Sequence, residues 1–229
     1  VAIISVLVAL LLPALTSARD AARSAVCSAN QKQIGTAILT YANDYHDSLP
    51  TTGNYANWNK DPYHRADNWI NLISIGYLRT GTEPAAYYKL KGNSVWLCPN
   101  DQRATDSNGF YHGPTYGINQ CLTGFYSSTY GQRDPFKLTQ IDEPTRTPIM
   151  SDLRAGNFGC YPNYLLDLVV RNIPPSWPHL HRDGDLFLFV DGHVGWVPRL
   201  EARNAPANAA YLAYRLNGQY FINDFRFWK

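Results

Sequence analysis

Charge is scarce in this sequence. Asp, Glu, Lys and Arg make up 17% of the 229 residues, and 20 basic against 18 acidic groups leave a net charge of +2. A dedicated nucleic-acid binder needs a strong basic face, and this balance excludes one. Cysteine occurs four times, at Cys27, Cys98, Cys121 and Cys160, with no two inside four residues of each other. The paired-ligand spacing of a structural zinc site is therefore missing. Enzyme signatures are missing too: there is no Gly-x-Ser-x-Gly elbow, no Gly-x4-Gly-Lys-Ser/Thr phosphate loop and no His-Glu-x-x-His. Ser, His and Asp abound, but their separation in sequence carries no triad information. No Asn-x-Ser/Thr acceptor occurs, which closes the N-glycan route.

What is present is apolar and aromatic. Hydrophobic residues reach 45%, which excludes wholesale disorder, and aromatics reach 14%, with 16 Tyr and 6 Trp. Ring stacking on glycans would use such residues. A sheet-helix core and tyrosine-rich subunit contacts explain them at least as well. Four widely spaced cysteines fit two disulfides in an oxidising compartment, with three possible connectivities, against the alternative of four buried thiols.

Residues 1–15 carry no charge and a single hydroxyl. The chain starts at Val1 and not at Met, so a processed or longer precursor is expected. The twelve residues before Pro13 span roughly 18 Å, short of a bilayer core of ~30 Å. A signal peptide would need a small-residue cleavage site and a polar junction, and neither follows. Instead, Leu15, Ala18, Ala22, Val26, Ala29, Ile34, Ile38, Tyr41 and Tyr45 recur at helical steps, with Arg19, Asp20, Arg23, Gln31 and Lys32 between them. One long helix is expected over residues 1–46, apolar all round in 1–15 and striped in 16–46. A kinked or melted stretch is expected at Pro13, where a backbone donor is lost. The striped half has a body to pack on. The uniform half belongs in lipid or among copies of itself.

These residues resemble the mature N-terminal helix of type IV pilins and type II secretion pseudopilins. More narrowly, Cys27-Ser-Ala-Asn-Gln-Lys-Gln-Ile-Gly35 is similar to the Cys-x-x-Asn-x-Lys-Gln-Ile-Gly signature of a prepilin-like group, with Asn30, Gln33 and Gly35 among its fixed positions. That group's C-terminal domain is named for a His-x9-Asp-Gly motif, which His181, Asp191 and Gly192 match. Trp69 to Leu78, Cys98-Pro99 and Tyr116-Gly-Ile-Asn119 also resemble its pattern, so the likeness covers most of residues 1–198. The family's processing site, with its Phe-Thr-Leu-Ile-Glu start, would lie just upstream of Val1. The resemblance implies an inner-membrane precursor, then an extracellular filament of copies of this chain, driven by an assembly platform and a cytoplasmic ATPase. Ile3, Ile4, Leu7, Leu10, Leu11, Leu12, Pro13 and Leu15 would then pack in the filament core. It also puts Cys27 with Cys98, as does the position of Cys27 at a helix–body seam. Cys121 and Cys160, which lie outside family-like motifs, are taken as partners.

Residues 47–229 read as one α+β body, with the helix packed on an antiparallel sheet. The first helix is expected to end near 47–50, a short helix to follow at 68–78 behind an Asp67 cap, a strand or turn at 94–97 and a strand at 147–151. Runs 185–190 and 193–197 around Asp191-Gly192 predict a hairpin. His179, His181, Asp183, Asp185, Asp191 and His193 crowd fifteen residues and could offer metal ligands on one strand face. A structural reading is favoured, with Asp-Gly turns needing positive φ at Gly184 and Gly192 and His181 bonding across the hairpin. Neither a metal nor a cofactor is expected. The function expected is that of a filament subunit and not of an enzyme. A membrane-anchored glycan- or surface-binding module that never polymerises, and a minor tip pseudopilin, are the alternatives.

Overall fold

The structure is a computed structural model and describes residues 2–51, 69–79, 90, 94–101, 114–123, 125–127, 131–152, 180–181, 184–198, 213–216 and 219–221. Helix α1 spans Ala2–Asp44. At 1.5 Å per residue its 43 residues extend ~65 Å. It passes through Pro13 without interruption, contrary to the expected melted stretch. A proline removes a single donor, and regular turns on both sides hold the path. The Thr16 hydroxyl donates to the Leu12 carbonyl at 2.9 Å.

Helix α1 stops at Asp44, earlier than the proline rule implies. His46 and Asp47 take left-handed φ of 56° and 64°, and the Asp47 N–H donates to the Ala42 carbonyl at 2.8 Å. His and Asp are among the side chains that tolerate this conformation, and such a residue closes a helix. The chain is then tied down by Leu49 N–H to the Phe136 carbonyl and Leu138 N–H to the Asp47 carbonyl.

Helix α2 covers Trp69–Ile73 and widens into a π-helical turn at Ser74–Leu78. The segment 94–97, open between strand and turn from the sequence, is a turn, with Leu97 N–H donating to the Ser94 carbonyl. Thr115 then fixes that turn from outside. Its N–H donates to the Trp96 carbonyl, and its hydroxyl accepts from Cys98 N–H while donating to Asp101. Trp96 packs edge-on against Trp69, ring centres 5.3 Å apart, a favourable quadrupole geometry.

The architecture is α+β. Strands β1 (Tyr116–Ile118), β4 (Pro148–Asp152), β5 (Gly184–Phe189) and β6 (Val194–Pro198) form an antiparallel sheet in the order β1-β4-β5-β6. The one-turn helix α3 (Gln120–Thr123) leads from β1 to a separate hairpin of β2 (Phe125–Ser127) and β3 (Gly131–Arg133). Strands β7 (Ala213–Leu216) and β8 (Gln219–Phe221) pair as another hairpin. Pro148 opens β4, where a missing donor is tolerated, and the register slips between it and Met150. Asn119 closes β1, its side-chain amide donating to the Pro148 carbonyl at 3.0 Å. Gly192, at φ 88°, makes the β5–β6 turn as expected. Gly184 does not turn in the left-handed region; it starts β5, paired with Pro198.

The core joins one stripe of α1 to this sheet. Ile34 and Ile38 pack in one cluster with Trp69, Ile73, Trp96, Tyr116, Ile118, Met150 and Leu188.

Candidate functional site

Helix α1 divides into two chemically different halves. Its body-facing stripe begins only at Cys27 and continues through Gln31, Ile34, Gly35, Ala37, Ile38 and Ala42. The stripe read from sequence was partly misplaced, since Leu15, Ala18, Ala22, Val26 and Ala29 are all exposed. Every residue from Ala2 to Arg19 is exposed, including Ile3 at 77%, Leu10 at 70%, Leu11 at 64% and Leu15 at 68%. Ile4, Leu7 and Leu12 share that exposure, as does Pro13. α1 is long and apolar enough to cross a membrane, and none of its apolar stretch is buried. A surface of this kind, far larger than scattered single apolar residues, marks a lipid or protein contact.

The buried half carries a polar seam. Cys27 is joined to Cys98 by a disulfide, their Cα atoms 5.0 Å apart. The 71-residue separation corresponds to about 4 kcal/mol by the loop-entropy argument. Beside the bridge lies His181, whose Nε2 is 3.1 Å from Asp152 Oδ2 and 3.4 Å from Cys98 Sγ. Its Nδ1 is 2.9 Å from Ser24 Oγ, and the Ser24 hydroxyl lies 2.9 Å from the Asp20 carbonyl, to which it can donate. Both Asp152 oxygens are engaged: Oδ1 accepts from Gln31 Nε2 at 3.0 Å and Oδ2 from Leu186 N–H at 2.9 Å. Asn100 Nδ2 donates to the Leu180 carbonyl at 2.7 Å, which holds the backbone just ahead of the imidazole. The Tyr116 phenol nearby is raised by burial first and then by the Asp152 charge.

The row Ser24–His181–Asp152 has the residue types of a hydrolytic triad. Ser24 is half-buried, and the other two side chains are closed off, His181 2% exposed and Asp152 0%. Ser24 lies inside a regular helix whose amides are already bonded, so no donors face a developing oxyanion there. What the row does is fix α1 on the sheet with charge-assisted hydrogen bonds.

The two ends of the His-x9-Asp-Gly motif sit far apart in role. His181 is buried, whereas Asp191 and His193 are exposed at the β5–β6 turn. Asp191 Oδ1 accepts from His193 N–H at 3.1 Å and meets its Nδ1 at 2.6 Å, and the His193 ring stacks on Phe189. The shared metal face considered from sequence is therefore not formed by His181, Asp191 and His193. Cys160, His179 and Asp183 lie outside the described residues, as does the Cys121 side chain.

Between its ends the motif measures out β5 along α1. His181 meets Ser24, Leu186 accepts Gln31 Nε2 at 3.2 Å, Leu188 lies under Gly35, and Gly192 abuts Leu39. A Cβ on Gly35 would stand 2.7 Å from Leu188 Cδ1, so that glycine sets the helix–sheet distance. Asn30 adds a bond from its amide to the Leu97 carbonyl at 3.1 Å, while Gln33 faces outward.

Over residues 16–159 the chain matches the family model described as a protein of unknown function, DUF1559. The chain belongs to the DUF1559 family. That family is found among pilin-like, prepilin-type bacterial surface proteins. The comparisons with curated proteins and with solved structures return no match. The matched stretch of this DUF1559 chain holds Ser24, Cys27, Gln31, Cys98 and Asp152 and ends before His181.

Three members of the seam were not singled out from sequence. Gln31 was placed on the solvent side because it is polar, yet it follows Cys27 by one helical turn and is fully buried. That i, i+4 relation was the available signal. Ser24 and Asp152 carried none.

Proposed function

We propose that this chain is a structural subunit of an extracellular type IV pilus-like or pseudopilus filament, polymerising through the apolar half of α1, and that it is not an enzyme. The observation that supports this reading is the division of α1. One half is locked to the body by a disulfide and buried hydrogen bonds. The other half has every residue exposed and no charge before Arg19. Because α1 is continuous through Pro13, its first 17 helical residues reach about 25 Å, close to the hydrocarbon thickness of a bilayer. The precursor rests in the inner membrane, and assembly exchanges lipid contacts for helix–helix contacts. Nine exposed Ile, Leu and Val side chains, each worth about 1.5–3 kcal/mol if fully removed from water, hold either state against solvent.

The test is negative-stain microscopy of material sheared from cell surfaces, with the chain located by immunogold. Labelled filaments are expected from the natural sequence and are lost with Leu11→Asp, a charge that costs about 3 kcal/mol per subunit in an apolar core. Leu11 is 64% exposed and remote from the body, so the disulfide-bonded body still folds. Normal filaments from Leu11→Asp overturn the proposal. So does a natural chain that is present in membranes and never in filaments, which is the behaviour of a simple anchored module.

A further inference from the structure

The seam brings together two sulfurs, an imidazole and a carboxylate that are scattered over more than 150 residues of sequence. Cys27 Sγ, Cys98 Sγ and one nitrogen of His181 lie within 4.8 Å of one another, all three residues buried. Asp152 lies outside that trio: its Oδ2 stands 3.1 Å from the same Nε2 that Cys98 Sγ approaches at 3.4 Å, and it would have to swing toward the sulfurs to close a tetrahedron. In a tetrahedral zinc centre with bonds of ~2.3 Å to sulfur and ~2.0–2.1 Å to nitrogen and oxygen, the S···N and N···O edges are roughly 3.5 Å. The two edges that share Nε2 are already near those lengths.

The surrounding bonds suit a ligating imidazole. When the Ser24 hydroxyl donates to the Asp20 carbonyl, its oxygen accepts from Nδ1–H of His181. Nε2, which donates to Asp152 in the oxidised chain, lies between a sulfur and a carboxylate oxygen, and it offers a lone pair to a cation once its proton is released and the ring keeps the one on Nδ1. Metal-bound histidines are commonly held in this way, through the nitrogen that does not ligate. Asp152 is likewise oriented by Gln31 and the Leu186 N–H.

We propose that, once the Cys27–Cys98 bridge is reduced, Cys27, Cys98, His181 and Asp152 form a site for a thiophilic divalent cation, zinc being the best fit. Two thiolates and an imidazole select zinc over calcium or magnesium. Reduction takes two electrons and two protons, delivered by a phosphine that becomes its oxide with the oxygen of water. The S–S bond breaks and two thiols form. Zinc then displaces both thiol protons to solvent and bonds both sulfurs, which must part to roughly 3.8 Å in a tetrahedral centre. Cα atoms 5.0 Å apart permit this by side-chain rotation. Ser24 acts as a positioning residue. The helix–body seam can thus be closed in two ways, by a covalent bond in an oxidising compartment or by a metal where thiols persist. This inference is independent of whether the chain polymerises.

The full chain in nonionic detergent is reduced with a phosphine, freed of reductant under anaerobic conditions and titrated with cobalt(II), then zinc. Equimolar cobalt is expected to give tetrahedral d–d absorption with a thiolate charge-transfer band, displaced by zinc, and the oxidised chain to give neither. Zinc is expected to block alkylation of Cys27 and Cys98, mapped by mass spectrometry, while Cys121 and Cys160 stay open once reduced. Ser24→Ala, at a half-exposed position where folding is retained, is expected to weaken zinc by about 10-fold or more. Protection confined to Cys121 and Cys160, cobalt bound without the charge-transfer band, or equal binding by the oxidised chain overturns the site. Unchanged zinc affinity in Ser24→Ala overturns the role given to Ser24.

Discussion

Asp152 is the residue on which the buried seam converges. One carboxylate answers Gln31 from the helix, Leu186 from the neighbouring strand and His181 from just before that strand. Removing it strands three donors in a site where neither Asp152 nor His181 meets water. Asp152→Ala is therefore expected to cost about 3–5 kcal/mol, the range for removing the partner on which a buried charge-assisted network depends, read from denaturant unfolding followed by circular dichroism. A loss under 1 kcal/mol would show that the seam is not where the helix is held. The sequence made His181 visible through its motif and Cys27 and Cys98 through their type. Nothing in the local pattern distinguished Asp152 from the other acidic residues. Its importance arises from the pairing of β1, β4 and β5, which is a long-range property. The same holds for the proposed zinc ligands, whose wide spacing reads as the absence of a metal site until the fold collects them.

At the scale of elements, the long helix, the hairpin at Asp191-Gly192 and the antiparallel sheet were legible because their periodicity or turn chemistry is local. The continuous course through Pro13 was not, nor was the choice between strand and turn at 94–97. In the first case, helix on both sides outweighs one lost donor. In the second, Trp96 and Leu97 are apolar because they are buried, which a turn achieves as well as a strand. Gly35 shows the opposite case, a motif residue whose reason appears only in the packing. Its missing side chain lets α1 approach Leu188, which is itself 0% exposed and has little room to yield. Gly35→Val is expected to destabilise the body by about 1–3 kcal/mol, as overpacking does, despite the poor helix propensity of the glycine it replaces. Thermal unfolding of the oxidised chain would measure it, and an unchanged or raised midpoint would show that the helix can ride outward without loss.

For the molecule as a whole, low charge and abundant tyrosine shift the pH limits of stability. Near neutrality a net charge of +2 leaves little self-repulsion to relieve. The groups displaced from their ordinary range are phenols. Tyr77 is pushed up to about 12, by burial first and then by its hydrogen bond to Asp44 and the carboxylate's charge. Tyr41 is raised by burial and by Tyr45 stacked on it, and Tyr116 is raised by burial. A folded-state value above the unfolded one means that folding favours the neutral phenol. The stabilisation is complete below the unfolded value of 10 and is lost as pH climbs toward 12. The oxidised chain is therefore expected to hold a flat stability up to about pH 10 and to lose it steeply above. Unfolding would coincide with late tyrosinate absorbance. Phenols that all titrate near 10 in the folded chain would contradict this.

The course of β5 along α1 has a mechanical meaning. Ser24 with His181, Gln31 with Leu186, Gly35 with Leu188 and Leu39 with Gly192 lie in sequence along both partners, with the disulfide near one end of the row. A tension applied along the helix axis loads these contacts side by side and at the same moment. They resist as a lap joint resists shear, and not one after another as a strip resists peeling. Force entering at the apolar end of α1 would thus reach the sheet spread over a seam some four helical turns long, with the covalent bridge at the end nearest the load.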